Sequence, residues 1–310
     1  MDLSIIIVNW NTKNLLKNCL KSIFNTLKKV NYEIFVVDNA STDGSVNMIR
    51  SIFPNINLII NDKNDGFSKA NNQALKKSVG RYVLLLNPDT VVLDNTLDEM
   101  VKFLDEHPEA GVSTCQVKYG DGRIQFTSGR HFPDIFTELF AATRLSMFFP
   151  KNRITGKYMM TYWDHNDTRE VDVISGSFMM VKRLAIEQIG LLDERFYMYS
   201  EDVDWCFRIR KAGWKIFYVH HVGIIHYAGQ SSAGNSREVR AKEYISIYIY
   251  FKKHYGRIYA SIFRIIIKGL VVIKIPLLYI LSVCRRNIKK KNINRDKLNV
   301  QINILKSKWE

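Results

Sequence analysis

The sequence predicts an α/β fold with a doubly wound sheet, followed by a helical C-terminal segment. Two patterns favour this fold. Fully apolar runs at residues 4–8 and 82–86 are typical of strands that are covered on both faces. Segments with helical spacing of apolar residues alternate with these runs, which is the pattern of parallel strands joined by helices. Of the 310 residues, 46% are apolar and 24% charged, so the chain can form a substantial core.

The elements of the first part follow in a regular order. A strand at 4–8 precedes a helix that Thr12 can cap. Further strands are predicted at 33–37, 56–60 and 82–86, and further helices end near residue 52 and span 67–78 and 93–106. Ligands bind such sheets at the carboxyl edge of the strands, so the polar residues after each strand are the candidates for a site.

The second part is less regular. A strand at 111–119 is followed by an aromatic and basic stretch at 120–167 without a clear period. We predict a strand at 171–182 that is broken at Gly176, a helix at 201–212 that ends at Gly213, and short strands at 216–219 and 222–227.

The last quarter of the chain is basic and apolar. Residues 237–310 contain 18 Lys and Arg against 4 Asp and Glu, whereas the remaining residues carry 27 against 26. The apolar run at 269–284 contains 16 residues, fewer than the ~20 that span a bilayer. With the basic cluster at 285–286 and 289–291, it predicts an interfacial helix on an anionic membrane. The alternative is a buried core helix. We divide the chain into a catalytic domain (1–235) and a membrane-associating tail (236–310).

Composition and motifs exclude several classes of protein. The near-neutral body disfavours nucleic acid as a partner. Four scattered cysteines without C-x-x-C spacing disfavour a disulfide framework and a zinc cluster, and favour a reducing compartment. The first ten residues read as a strand, so we expect no signal peptide. Neither G-x-G-x-x-G after the first strand nor a P-loop is found.

Six blocks of the sequence, in order, resemble family 2 glycosyltransferases with the GT-A fold, especially the rhamnosyltransferase-like members. The resemblance covers about residues 3–232 and implies a Rossmann-like, doubly wound mixed sheet that binds a nucleotide-diphospho-sugar. The blocks are SIIIVNWNT at 4–12, VVDNASTDGS at 36–45, NDGF at 64–67 with Asn71 and Asn72, YVLLLNPDT at 82–90, GSFMMVKR at 176–183 with LDERF at 192–196, and EDVDWCFR at 201–208 with Ala212, Gly213 and His226 downstream.

Asp38 is the candidate for recognising the nucleotide base. Its carboxylate follows a strand and can accept the N3–H of uracil or thymine, which adenine does not present. The alternative is a local turn that Asp38 caps. The resemblance assigns Asp38 to the pyrimidine. It extends the nucleotide-sugar site to Asn9, Asn11, Asn64, Gly66, Asn87, Gly176 and Ser177.

Asn87-Pro88-Asp89 is the candidate for cation binding. It follows a buried strand, and carboxylate, amide and phosphate oxygens suit Mg²⁺ or Mn²⁺. The family pattern is Asp-x-Asp, so Asn87 puts strict cation dependence in doubt. His226 ends an apolar strand and corresponds to a cation ligand in some relatives. The alternatives are a plain turn and a structural histidine.

Glu201 and Asp202 open the predicted helix at 201–212. The resemblance assigns the second acid, Asp202, as the catalytic base, with Glu201 in reserve. The alternative is a first-turn acid stabilised by the helix dipole. Asp204 and Arg208, four residues apart, are expected to form an ion pair on the helix surface.

The sequence therefore predicts an inverting glycosyltransferase in cell-surface polysaccharide synthesis. Its donor would be a dTDP- or UDP-sugar, with rhamnose a candidate, and its acceptor a lipid-linked saccharide. We expect a divalent cation, Mg²⁺ or Mn²⁺, and a peripheral location at the cytoplasmic face of the plasma (inner) membrane. The alternative is a catalytically weakened sugar- or nucleotide-binding scaffold protein of the same fold, which Asn87 motivates.

Overall fold

The computed structural model describes residues 1–227, 236–284 and 288–309, which divide into two compact units. The first comprises Met1–Phe132, Pro150–Tyr197 and the described part of Glu201–Ser232. The second comprises Pro133–Phe149, Met198–Ser200 and the described part of Ala233–Glu310. The second unit therefore takes two segments that the sequence-based division at residue 235 had placed in the first domain.

The first unit is built around a mixed sheet. Its strands are β1 (Leu3–Asn9), β2 (Tyr32–Asp38), β3 (Asn57–Ile60), β4 (Tyr82–Leu86), β5 (Thr90–Val92), β6 (Ala110–Lys118), β7 (Arg169–Glu170), β8 (Phe178–Lys182) and β9 (Lys215–His226). They lie in the order β3-β2-β1-β4-β8-β6-β9-β5, and β7 also pairs with β9. The first four are parallel, whereas β8 runs antiparallel to β4 and β6. The expected doubly wound mixed sheet is confirmed.

The helices alternate with the strands in the first half of the chain. They are α1 (Lys13–Thr26), α2 (Ser45–Ile52), α3 (Phe67–Leu75), α4 (Thr96–Glu106), α5 (Ile135–Thr143), α6 (Leu145–Phe148), α7 (Arg183–Ile189), α8 (Glu201–Lys211), α9 (Ser236–His254), α10 (Gly256–Cys284) and α11 (Ile288–Lys306). The apolar face of α1, with Leu16, Leu20 and Ile23, is buried in the same core as Ile5 and Ile7 of β1. The shared apolar core therefore holds α1 against the sheet and fixes the position of the carboxyl end of β1.

Three predicted strands differ from the structure. Of residues 171–182, only 178–182 form a strand, because a turn closes at Ser175, whose carbonyl accepts from Phe178 N. The two short strands at 216–219 and 222–227 are one continuous strand, β9. Its pairing with β6 shifts register between Cys115 and Gln116. Gly223 lies close to β6 there, because a Cβ on Gly223 would be 2.5 Å from the carbonyl oxygen of Gln116. The strand β5 and the helices α5 and α6 were not predicted.

The second unit contains one long apolar helix, α10. Its 29 residues would extend about 43 Å at 1.5 Å per residue, because the helix continues through Pro276. Among the described residues, Gly256–Val283 is long and apolar enough to cross a membrane, and its 18-residue apolar window has a mean hydropathy of 2.2. The expectation that the apolar segment is too short to span a bilayer was therefore wrong. Arg285 and Arg286 of the basic cluster lie outside the described residues, as do the side chains at 289–291.

Candidate active site

The carboxyl ends of β1 and β2 carry a buried polar network around Asp38. Asn9 pairs in register with Asp38, and Asn9 Nδ2 donates to Asp38 Oδ1 at 2.7 Å and to Ser41 Oγ at 3.0 Å. The main-chain N–H of Ser41 donates to Asp38 Oδ2 at 2.8 Å. The structure therefore contains the local turn capped by Asp38, which was the alternative interpretation of this residue. Each carboxylate oxygen retains a further lone pair for another donor.

Asn11 shapes the loop next to this network. It has a φ of 52°, a left-handed conformation that asparagine tolerates better than most residues. Its N–H donates to Ser41 Oγ at 2.9 Å, and its side-chain oxygen accepts from Thr42 N at 2.7 Å. Asn11 therefore joins the loop after β1 to the loop after β2.

Gly66 opens α3 in a conformation that requires glycine. Its φ is +82°, its N–H donates to Asn64 Oδ1 at 3.0 Å, and a Cβ would lie 2.5 Å from the carbonyl oxygen of Tyr197. Asn39, directly after Asp38, donates to the Gly66 carbonyl at 3.2 Å. The structure thus brings Asn64 and Gly66 to the end of β2.

Asp89 and His226 lie together beyond the end of β4. His226 Nε2 is 3.3 Å from Asp89 Oδ1 and 3.4 Å from Asn87 Nδ2. Asp89 is 1% exposed. In the described part of the chain, no group of three or more His, Cys, Asp or Glu is placed to hold a metal ion. The predicted cation ligands therefore form a pair, with the Asn87 amide beside it.

Gln125 orients His226, and sequence reasoning missed it. Gln125 Nε2 donates to the His226 carbonyl at 2.6 Å, which identifies that amide atom as nitrogen because a carbonyl only accepts. Gln125 Oε1 then lies 2.9 Å from His226 Nδ1, so Nδ1 carries a proton. In the neutral imidazole, Nε2 is left with its lone pair facing Asn87 and Asp89. That is the tautomer a metal ligand needs.

Gly176 and Ser177 lie beside the same strand end. Asn87 N donates to the Ser177 carbonyl at 3.1 Å, and a Cβ on Gly176 would meet the Phe67 ring at 3.3 Å. Phe67 follows Gly66, so the Gly176 turn links the Gly66 loop to Asn87. Ser177 Oγ is buried and has no hydrogen-bond partner among the described residues. A ligand hydroxyl is a suitable partner for it.

Asp202 lies in the first turn of α8 and pairs with Arg130. Arg130 Nη2 donates to Asp202 Oδ2 at 2.6 Å, and the two side chains are only 10% and 13% exposed. The N–H of Val203 donates to Asp202 Oδ1 at 2.8 Å, and Tyr158 OH accepts from Arg130 Nη1 at 2.8 Å. Arg130 also pairs with Val173 in an isolated bridge. Asp202 is therefore a fixed, partly exposed carboxylate.

Glu201 differs from its neighbour in burial and charge. Burial and the Asp202 carboxylate raise the pKa of Glu201 to about 8, and Arg130 opposes this shift. Glu201 Oε2 has no hydrogen-bond partner within the described residues. Glu201 is thus largely protonated at pH 7, whereas a base must be ionised. Asp202 therefore stays the candidate base, with Glu201 in reserve.

The ion pair between Asp204 and Arg208 forms, but it is not on the surface. Arg208 Nε donates to Asp204 Oδ2 at 2.9 Å, and the Asp204 side chain is fully buried. Arg208 also donates to the carbonyls of Ile189 and Leu191 at 2.8 Å. The expected surface position was wrong, because this face of α8 packs on the chain that follows α7.

Comparisons with known proteins agree with this architecture. Residues 4–190 match the family model described as Glycosyl transferase family 2. The N-acetylglucosaminyl-diphospho-decaprenol L-rhamnosyltransferase of Mycobacterium tuberculosis is 27% identical over 269 residues, covering 83% of this chain and 86% of that protein. Glu201, Asp202 and His226 lie beyond the range that the family model matches.

Two solved structures share the fold. The mannosyltransferase PcManGT from Pyrobaculum calidifontis, in complex with GDP-Man and Mn²⁺, matches with a TM-score of 0.60 and 15% identity, covering 98% of this chain and 87% of that chain. GalNAc-T7 with UDP, GalNAc and Mn²⁺ matches with a TM-score of 0.56 and 14% identity, covering 80% and 47%. The GT-A fold implied by the sequence is confirmed.

Proposed function

Because the chain belongs to glycosyl transferase family 2 and is rhamnosyltransferase-like, we propose that it transfers a sugar with inversion from a dTDP- or UDP-sugar to a lipid-linked saccharide. Rhamnose is the first donor sugar to test, since the mycobacterial relative is an L-rhamnosyltransferase acting on a diphospho-decaprenol saccharide by its name. The observation that carries the proposal is the fixed Asp202 carboxylate, which Arg130 pairs and orients.

The reaction is a single displacement. Asp202 takes the proton of an acceptor hydroxyl as that oxygen attacks the anomeric carbon from the face opposite the diphosphate. The bond between the anomeric carbon and the diphosphate oxygen breaks, and the nucleoside diphosphate leaves. Arg130 and the N–H of Val203 each hold one oxygen of Asp202, so the base keeps its orientation. A single displacement inverts the anomeric configuration.

Asp89 and His226 would hold a divalent cation with the donor diphosphate. The donor set fits, because a buried carboxylate oxygen lies 3.3 Å from an imidazole nitrogen whose lone pair faces it. When bound, the cation would supply positive charge that stabilises the negative charge of the leaving diphosphate. Asn87 brings an amide without charge, which weakens cation binding relative to an aspartate at that position. Gln125 holds the His226 ring in place.

The proposed function is tested with a panel of donors. The purified protein is incubated with dTDP-rhamnose, UDP-sugars and GDP-mannose, with and without a polyprenyl-diphospho-saccharide acceptor. We expect transfer from a dTDP- or UDP-sugar and none from GDP-mannose. NMR of the product should show an inverted anomeric configuration. Transfer from GDP-mannose at an equal rate, or retention of configuration, would contradict the proposal.

Asp38→Ala is expected to weaken UDP or dTDP binding by about 1–3 kcal/mol, because the base would lose its acceptor. Calorimetry with the folded variant measures this. Ser41→Ala is the matched control, because Ser41 Oγ accepts from Asn9 and Asn11 in the same loop but is not assigned to the base. Equal losses in the two variants would show that Asp38 acts through the loop.

Gln125→Met is expected to lower Mn²⁺ affinity by about 10–100-fold, the usual effect of removing the partner that orients a ligating histidine. The variant should also move His226 away from the Nδ1–H tautomer, which long-range ¹H–¹⁵N correlations detect without metal. Gln116→Met is the control, since Gln116 donates to the His165 carbonyl at 3.2 Å. Unchanged affinity and tautomer in Gln125→Met would remove Gln125 from the site.

The peripheral location at the cytoplasmic face of the inner membrane remains part of this proposal. It is supported by α10, whose exposed positions between Ile258 and Val283 carry no charge. Arg264, Lys268 and Lys274 are half-buried instead. A helix with one packed face and one exposed apolar face is suited to lie in the membrane interface.

A further inference from the structure

The second unit has a group of exposed apolar side chains in addition to those of α10. Within α5, α6 and the residue after them, Phe136, Met147 and Phe148 are 68%, 71% and 73% exposed, and Phe149 is also exposed. Large apolar side chains in such a group are uncommon on soluble surfaces and mark interaction sites. We call Phe136, Met147, Phe148 and Phe149 the apolar tip.

The tip is held by a defined local structure. Asp134 and Thr137 form a capping box at the start of α5, with Asp134 Oδ1 accepting from Thr137 N at 2.8 Å. Arg144 adopts a left-handed conformation (φ 64°) that ends α5 and begins α6. The exposure of the tip is therefore a feature of an ordered helix pair.

The tip is built onto α10. Lys274 Nζ donates to the Ala142 carbonyl at 2.6 Å, and the N–H of Ile135 donates to Tyr259 OH at 3.1 Å. Both bonds join α5 to the packed side of α10. The second unit thus presents two apolar surfaces, the tip and the outer face of α10, on elements that are bonded to each other.

The charge of this part of the chain fits an anionic partner. The helix pair itself carries Asp134, Glu138 and Arg144, whereas residues 237–310 of the same unit contain 18 Lys and Arg against 4 Asp and Glu. Phenylalanine and methionine on a unit with this excess of cations are suited to the boundary between acyl chains and anionic headgroups.

We propose that the apolar tip inserts into the anionic leaflet as a second membrane contact, separate from α10. It is an addition to the proposed enzymatic function and does not use the catalytic residues. Two contacts on one unit bind more stably than one, since membrane affinity grows with the apolar area buried.

The test uses the full chain and vesicles of phosphatidylcholine with phosphatidylglycerol. The triple variant Phe136→Ser, Met147→Ser, Phe148→Ser should lower vesicle partitioning by at least about tenfold. Its transfer activity on a soluble acceptor should be unchanged, so a failure of this proposal is distinguishable from a failure of the proposed function.

The matched control removes three exposed apolar side chains of the first unit. Ile60, Val79 and Leu184 are 45%, 68% and 62% exposed, and their replacement by serine should leave partitioning unchanged. An equal loss in the control and the tip variant would overturn the proposal.

A fluorophore at the tip provides a direct measurement. Phe148→Cys in a Cys284→Ser background is labelled with acrylodan, because Cys19, Cys115 and Cys206 are buried. We expect a blue shift with vesicles and quenching by nitroxide on the acyl chains. A blue shift without vesicles that grows with protein concentration, or no shift with vesicles, would show that lipid is not the partner.

Discussion

Asp202→Asn is expected to lower turnover by about 10²–10⁴-fold while donor affinity changes little. Asparagine has nearly the same shape, and its side-chain oxygen can still accept from Arg130. It cannot take the proton of the acceptor hydroxyl. Steady-state kinetics and calorimetry with the nucleotide separate the two effects, because a binding defect would appear in both.

Glu201→Gln is the comparison that assigns the base. Because Glu201 is largely protonated at pH 7, a neutral amide of similar size should reduce turnover far less than Asp202→Asn does. Near wild-type turnover in Asp202→Asn, together with a large loss in Glu201→Gln, would transfer the role of base to Glu201.

Arg130→Met is expected to destabilise the protein by about 3–5 kcal/mol, the usual cost of leaving a buried charge without its partner. The variant leaves Asp202 without its cation and removes the charge that opposes the raised pKa of Glu201. Thermal unfolding followed by circular dichroism should show a midpoint several degrees lower. Turnover should also fall, since the base loses its orienting bond.

Two further variants test whether burial of the Arg130–Asp202 pair causes the loss of stability in Arg130→Met. Arg123→Met removes an exposed pair with Asp121, which solvent screens, and should leave the unfolding midpoint nearly unchanged. The double variant Arg130→Met with Asp202→Asn removes both charges and should recover part of the lost stability. Losses that simply add in the double variant would mean that the pair is not coupled.

The regular half of the fold was predictable, because burial on both faces produces long apolar runs. The strands β1, β2 and β4 have such runs, whereas β3 is partly exposed. The predicted bounds of all four agree with the structure to within about two residues. The strand β5 has three residues and no period to detect. The helices α5 and α6 were missed because the buried positions of α5 are polar (Thr137 and Glu138) and α6 buries no residue, so neither has an apolar face at helical spacing.

The site was predictable only where residues follow strands or fit motifs. Asp38, Asp89 and Asp202 could be selected in this way, and their roles stay predictions. Arg130 lies 72 residues from Asp202, and Gln125 lies 101 residues from His226. Contacts at such separation are fixed by the sheet and leave no local pattern. Neither Gln125 nor Arg130 lies in a motif or directly after a predicted strand, so no local signal in the sequence pointed to them.

The contact between Gly66 and Tyr197 limits how the proposed donor site can be altered. Position 66 excludes side chains for two independent reasons, a φ of +82° and a carbonyl oxygen 2.5 Å from where a Cβ would lie. A library that randomises this position should return glycine from nearly all folded clones. Engineering of sugar specificity must therefore proceed from another position.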